Sequence, residues 1–429
     1  MHSFSPEYQT RYEDTSGTMM RDRWLVGSVV LTVLWYAAWS VFVVYTDRPL
    51  DYYVYVIAAD VLGRGENIYQ LTDYAPIAER LGITNYTSPY QYPPLTALLV
   101  WPLLLLPLRL GALVWVFGSG LAALLSALLL ARHALRRWQR RVILLALPGF
   151  VPVLVTLHAG QVNALVLLAT TVALHCWYQR RAVDGGVALA LGLWLKPLAI
   201  ALPLLLLWRW CWRALGALAA TSLLVLAASI IAFGITPVLS QSSGPASLDL
   251  TSVPTNPSPP MQHLRALVSR WLLPHETGAP VFVAPQLAES VFVGLLLVFA
   301  LAVLGLLWPS GRHERGLDLE IAMLIVTTHL LAPLTWYHHL TMLFIAFAVL
   351  IARWHPWQQY RGRLLLLALA YCALGVHGLF WKQLVGMTML LDLGTWSSVV
   401  LWALLVWQLW EERGQRSAII PNGVHRYET

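Results

Sequence analysis

Between Trp24 and Tyr45 the chain carries no charged side chain, and apolar runs of this kind recur as far as residue 410. A helix needs about 20 mostly apolar residues to cross the hydrocarbon of a bilayer, and a crossing segment must satisfy its own backbone hydrogen bonds. This pattern excludes a large soluble core. The composition agrees: 58% of residues are hydrophobic and 11% are charged, against about 25% charge in soluble domains.

The apolar runs fall at 24–45, 110–131, 142–157, 162–178, 186–195, 197–208, 214–236, 288–308, 318–334, 338–352, 364–381 and 387–410. They predict an all-α polytopic bundle of about 12 transmembrane helices. Lys196-Pro197 splits 186–208 in two, because proline disrupts a helix interior. The run 93–107 is short and flanked by prolines, so it is expected to be embedded or juxtamembrane rather than spanning. The first run is too long for a signal peptide and lacks its cleavage context, so a retained span is expected.

With the N-terminus inside, 20 of the 28 Lys and Arg residues fall on segments of one side, as the positive-inside rule requires. The net charge of +7 therefore points to membrane topology and not to nucleic acid. This layout makes 1–23 a cytoplasmic N-terminal segment, 24–410 a transmembrane catalytic domain and 411–429 a cytoplasmic tail. Two long loops lie outside. The first, 46–109, carries amphipathic and juxtamembrane segments. The second, 238–286, contains GPASLDLTSVPTNPSPP, which reads as irregular chain followed by a short surface helix over His263 to Leu273. The three cysteines show no CxxC spacing, so neither a disulfide frame nor a metal site is indicated. The 21 tryptophans suit membrane interfaces and contacts with lipid or sugar.

Polar residues gather on the outer face in this layout. In DRPLDYYVYVIAADVLGRGENIY, Asp51 and Asp60 sit among Tyr52, Tyr53 and Tyr55. Tyr52, Tyr55 and Ala59 recur at helical spacing, which predicts an amphipathic helix lying on the membrane face. Tyr92-Pro93-Pro94 closes that loop; His158, Gln161 and Asn163 form one turn, Lys196 tops a hairpin, and Trp336, Tyr337, His338 and His339 form another turn. Ionisable groups at membrane depth are expensive and usually functional. An acid there suits general-base chemistry on a lipid-linked substrate, and a lysine at a helix break suits a phosphate.

A plainer role stands beside each. Asp51 can be a solvated loop acid, Lys196 can snorkel to the interface, and Gln161 and Asn163 can cap a turn. Tyr92-Pro93-Pro94 can simply order the chain where it re-enters the bilayer. His338-His339 lacks a third ligand at metal-motif spacing. Asp60 has Arg64 four residues on as a partner. His175, His329 and His377 fall within apolar runs and read as packing contacts.

In order and spacing these elements resemble glycosyltransferase family 87. The matching residues are Asp51 with Tyr55, Gly63, Gly65 and Tyr69; Tyr92, Pro93 and Pro94; Gly160, Gln161 and Asn163; Lys196 and Pro197; and Pro333, Trp336, His338 and His339. The resemblance covers about residues 47–340; the Ser/Pro loop and the last two spans lie outside its motifs. It implies a GT-C-type integral membrane enzyme that uses polyprenyl-phosphate mannose as donor, with a glycolipid or lipid-linked glycan as acceptor and the site on the outer face. It also implies inversion to an α-(1-2) linkage, with no nucleotide, cofactor or metal. Asp51 would be the base. Lys196, His338, His339, Gln161, Asn163, Tyr92, Trp336 and Tyr55 would bind the donor phosphate or sugar, and Asp60 is the second candidate acid. Three rival readings remain: another polyprenyl-phosphate-sugar transferase such as an arabinosyltransferase or a protein mannosyltransferase, a lipid-sugar transporter or flippase, and a non-catalytic subunit of an envelope-synthesis complex. A transporter is expected to carry paired broken helices at the midplane, and a second break matching Lys196-Pro197 is not evident.

Overall fold

The structure, a computed structural model, describes residues 23–46, 48–71, 73–86, 90–240, 257–276, 278–307, 316–354 and 357–419. Residues 1–22 of the expected segment 1–23, the Ser/Pro stretch 241–256 and residues 420–429 of the expected tail lie outside the described residues. The main helices in chain order are α1 (Arg23–Tyr45), α2 (Leu50–Gly63), α3 (Pro94–Val100), α4 (Leu108–Arg132), α5 (Arg137–Ala146), α6 (Val151–Ala159), α7 (Asn163–Tyr178) and α8 (Ala182–Leu195). They continue as α9 (Leu202–Trp208), α10 (Trp212–Phe233), α11 (Leu264–Leu272), α12 (Pro285–Leu307), α13 (Leu317–Leu331), α14 (Leu343–Arg353), α15 (Arg361–Phe380) and α16 (Leu393–Ile419). No β-strand occurs among the described residues beyond isolated bridges such as Met261 with Trp336.

Seven helical stretches are long and apolar enough to cross a membrane: α1, α4, α5 with α6, α10, α12, α15 and the first part of α16. Shorter apolar helices, including α7 and α8, fill in between them. The chain is thus an all-helical integral membrane protein. Its centre is α13 and α14, where Asp318 to Thr327 and Leu340 to Ile351 are all buried. A helix apolar on every side belongs in a core. The periphery is α10, α12 and α15, which expose Leu223, Leu224, Ile231, Leu301 and Leu365 and so present an apolar surface suited to lipid.

One end of the bundle is tied by ion pairs. Arg209 reaches Glu320 at 2.7 Å, Arg353 binds both Asp318 and Glu412, and Arg363 binds Glu411. Gln139 Nε2 donates to the Ile351 carbonyl at 2.8 Å. These contacts join 132–141, 209–213, 353–363 and 411–412, segments that the charge rule placed on a single side. Losing one partner of a buried pair strands a charge, at about 3–5 kcal/mol.

Two local expectations change. The first concerns α2, which is expected to lie amphipathically on a membrane face; in the structure Tyr52 to Ala59 are buried on all sides. Val54, Val56, Ile57 and Ala58 fill positions between Tyr52, Tyr55 and Ala59, so the helix has no wide polar face. The second concerns α11, expected at the surface, where Leu264 to Arg270 are buried. The lysine break appears as anticipated: α8 ends at Leu195, and Lys196 is extended at φ −165° and ψ 128°, the conformation favoured before proline.

Candidate active site

Gly160 locks the first half of the site. It adopts φ +69°, and a Cβ there would stand 2.8 Å from the Tyr52 Cβ. Only glycine takes that left-handed conformation without strain and allows so close an approach. Trp115 Nε1 donates to the Gly160 carbonyl at 2.8 Å. The turn after α6 is thereby pressed against the first turn of α2, which holds Asp51.

The next residue, Gln161, is 2% exposed and acts as a hub. Its Oε1 accepts from Tyr55 Oη at 2.9 Å and from Lys196 Nζ at 3.2 Å, and its Nε2 donates to Tyr92 Oη at 2.6 Å. The Tyr55 and Tyr92 rings meet edge to face at 4.8 Å, and Lys196 Nζ lies 5.1 Å from the Tyr92 ring centroid. Thr96 Oγ1 donates to the Leu195 carbonyl at 3.2 Å, joining α3 to the lysine break. Four segments distant in the chain thus share one polar cluster. Satisfied buried networks of this kind are rigid, and each bond contributes about 1 kcal/mol net.

The electrostatics place Asp51 beside the cluster. Burial pushes the Lys196 ammonium down to about 7, and the negative charge of Asp51 opposes that fall. Burial raises the Tyr92 phenol well above its ordinary range, and Asp51 raises it further. Asp51 itself is half-buried.

The second half is the turn before α14. Thr156 Oγ1 and Asn163 Nδ2 donate to the His338 carbonyl at 3.0 and 2.9 Å. Asn163 therefore holds the backbone of this turn, where the resemblance implied a contact to the donor. The Trp336 amide donates to His339 Nδ1 at 3.2 Å, which leaves the proton of a neutral His339 on Nε2. The His338 and His339 rings lie 4.6 Å apart, and the Trp336 ring is parallel to that of His338 at 6.5 Å. His339 lies within electrostatic reach of Lys196, His338, His329 and His263, so the histidine turn is close to the lysine break.

Asp60 is placed elsewhere. Its carboxylate binds Arg64 at 3.1 Å, as the four-residue spacing anticipates, and also Arg80 at 2.6 Å. Two residues missed by the sequence reading belong to the histidine side. His329 donates from Nδ1 to the Ile325 carbonyl at 2.8 Å, and its Nε2 has no hydrogen-bond partner among the described residues. His263 comes from the second loop. Among the described residues no group of three or more His, Cys, Asp and Glu is arranged to hold a metal ion.

The family model described as Glycosyltransferase family 87 matches residues 90–333. The chain is also similar to a Mycolicibacterium smegmatis protein named polyprenol-phosphate-mannose-dependent alpha-(1-2)-phosphatidylinositol pentamannoside mannosyltransferase. The two are 26% identical over 327 residues, covering 72% of this chain and 71% of the relative.

Proposed function

The chain belongs to glycosyltransferase family 87, and on that footing we propose that it transfers mannose from polyprenyl-phosphate mannose to a lipid-linked glycan. The reaction takes place at the outer face of the membrane and forms an α-(1-2) linkage with inversion. The observation that carries this reading is the cluster of Tyr55, Gln161, Tyr92 and Lys196 beside Asp51, opposite the His338-His339 turn. It sets an acid and a set of cationic and donor groups across one site, as transfer from a sugar phosphate requires.

In this reading the acceptor hydroxyl attacks C1 of the donor sugar and its proton passes to the Asp51 carboxylate. The C1–O bond to phosphate breaks, and polyprenyl phosphate leaves with both bonding electrons. Lys196, His338 and His339 stabilise the charge that gathers on the leaving oxygen. Fixed donors aimed at developing charge commonly supply about 10²–10³ in rate. Gln161 orients the lysine, and Tyr55, Tyr92 and Trp336 offer aromatic faces for the sugar. The apolar outer surface keeps the prenyl chain of the donor in the bilayer, and its phosphate meets the site at the interface. Asp60, neutralised by Arg64 and Arg80, braces the first outer loop.

The reading is tested by incubating purified protein with radiolabelled polyprenyl-phosphate mannose and phosphatidylinositol mannosides. Labelled glycolipid with an α-(1-2) linkage is the expected product. Transfer only from a polyprenyl-phosphate pentose would reassign the sugar, and no transfer from any such donor would contradict the reading.

A further inference from the structure

We propose that His263, from the second long loop, is a further donor to the phosphate of the polyprenyl donor, presented to the site by its Nε2–H. The proposal rests on the donor reading above and adds to it a residue outside the motifs of the first loop and the hairpins.

The geometry fixes both the tautomer and the placement. His263 is the N-cap of α11, and its Nδ1 accepts the Ala266 amide at 3.3 Å. A ring nitrogen that accepts a backbone N–H carries no proton, so the proton of the neutral ring is on Nε2. The side chain is 1% exposed, and its Nε2 has no hydrogen-bond partner among the described residues. Leaving a buried donor unsatisfied costs about 1–3 kcal/mol, so such a group calls for a ligand. The N-terminus of α11, where the ring sits, is also the positive end of the helix dipole.

The chain around His263 is stitched to the histidine turn. The Gln262 amide donates to the Thr335 carbonyl at 2.7 Å, and the Tyr337 amide donates to the Pro260 carbonyl at 2.8 Å. Met261 and Trp336 pair as an antiparallel bridge. His263 thus lies alongside Trp336, His338 and His339, within electrostatic reach of the His339 ring. His339 repeats the same device, with Nδ1 occupied by the Trp336 amide. Two imidazoles from different segments therefore carry their protons on Nε2, and the second of them, His339, lies within electrostatic reach of Lys196.

The segment is held from the far end of the sequence. Fully buried Arg270 donates to Asp392 Oδ1 at 2.9 Å from Nε and to the Met261 carbonyl at 2.7 Å from Nη2. Gln262 Nε2 donates to the Leu391 carbonyl at 2.8 Å, and Gln262 Oε1 accepts the Thr395 amide at 3.0 Å. The start of the last span therefore sets the register of the loop that carries His263. Burial, with the charges of Arg270 and Arg265, pushes the His263 imidazole down to about 3, so at neutral pH it acts as a neutral donor.

Two substitutions separate a ligand role from a capping role. His263→Asn keeps a side-chain oxygen to cap α11 and removes the distal donor. His263→Gln keeps a nitrogen donor near the Nε2 position and weakens the cap. Binding of a short-chain polyprenyl phosphate, and of the matching polyprenol without phosphate, is measured on wild type and both variants of the full chain, together with thermal stability. The expected result is about a tenfold loss of polyprenyl-phosphate affinity in His263→Asn, partial recovery in His263→Gln, and unchanged polyprenol binding in both. Wild-type affinity in a stably folded His263→Asn, or equal losses for phosphate and polyprenol, would overturn the assignment of His263 alone. Wild-type protein that binds the phosphate no better than the polyprenol would remove the donor reading and the assignment with it.

Discussion

Lys196 Nζ stands 3.2 Å from Gln161 Oε1, and through that contact the break after α8 is bound to the turn after α6. The same amide joins Tyr55 and Tyr92. The lysine is therefore held in one orientation by the protein itself.

Its charge state gives a pH dependence. In the proposed reaction Lys196 would meet phosphate in the ammonium form, which predominates below its value of about 7 and is lost above it. Donor kcat/KM, which reports the free enzyme, is expected to fall as pH rises through about 7. In Lys196→Arg that limb disappears, because guanidinium stays charged throughout this range. Lys196→Ala is expected to lower donor kcat/KM by about a hundredfold, and His338→Ala and His339→Ala by less each if they share the load. A pH profile identical in wild type and Lys196→Arg would assign the limb to another group.

Gly160→Ala tests the seam between the turn and α2. The new Cβ would fall 2.8 Å from the Tyr52 Cβ at a residue with φ +69°. The left-handed backbone alone costs about 1–2 kcal/mol. The expected outcome is a lower melting temperature together with a loss of transfer, because Tyr52 adjoins Asp51. Gly82→Ala, at φ +71° with open space around it, is expected to lower stability and spare activity. Full activity in Gly160→Ala would show that the seam does not position the acid.

The charge layout predicts which segments face which side. Glu79 and Arg213 are both exposed and lie on segments assigned to opposite sides. In a background free of Cys176, Cys211 and Cys372, a cysteine replacing Glu79 is expected to react with an impermeant thiol reagent in intact cells. One replacing Arg213 is expected to react only after permeabilisation. The reverse pattern would put the site on the cytoplasmic face.

Much of this was legible in the chain, for physical reasons. Bilayer thickness forces apolar runs of a given length, so the long helices from α1 to α16 could be read directly. Lys196 and Gln161 stood out because polar residues at the ends of such runs are costly. The burial of α2 was hidden because Tyr52, Tyr55 and Ala59 at helical spacing suggested one apolar face, whereas the residues between them are apolar too. Asn163 was recognisable as part of a motif, but its bond to the His338 carbonyl depends on a contact across 175 residues. His263 had no local signal, since its placement hangs on Arg270 and Asp392, 122 residues apart. His329 looked like core because its only marker, an unpartnered Nε2, exists only in the folded chain.

The central claim is that Asp51, and not Asp60, is the base. Both lie on α2 and are nine residues apart, which at about 3.6 residues per turn sends them to opposite faces. Asp51 lies in the field of Lys196, Tyr92 and Tyr55, whereas Asp60 is held by Arg64 and Arg80. The most direct measurement is mannose transfer by Asp51→Asn and Asp60→Asn at matched expression, with donor binding followed in parallel. The predicted result is an Asp51→Asn enzyme that folds and binds donor but loses about 10²–10⁴ in transfer rate, beside an Asp60→Asn enzyme that keeps most of its activity. Undiminished transfer by Asp51→Asn, or its loss in Asp60→Asn alone, would contradict the account.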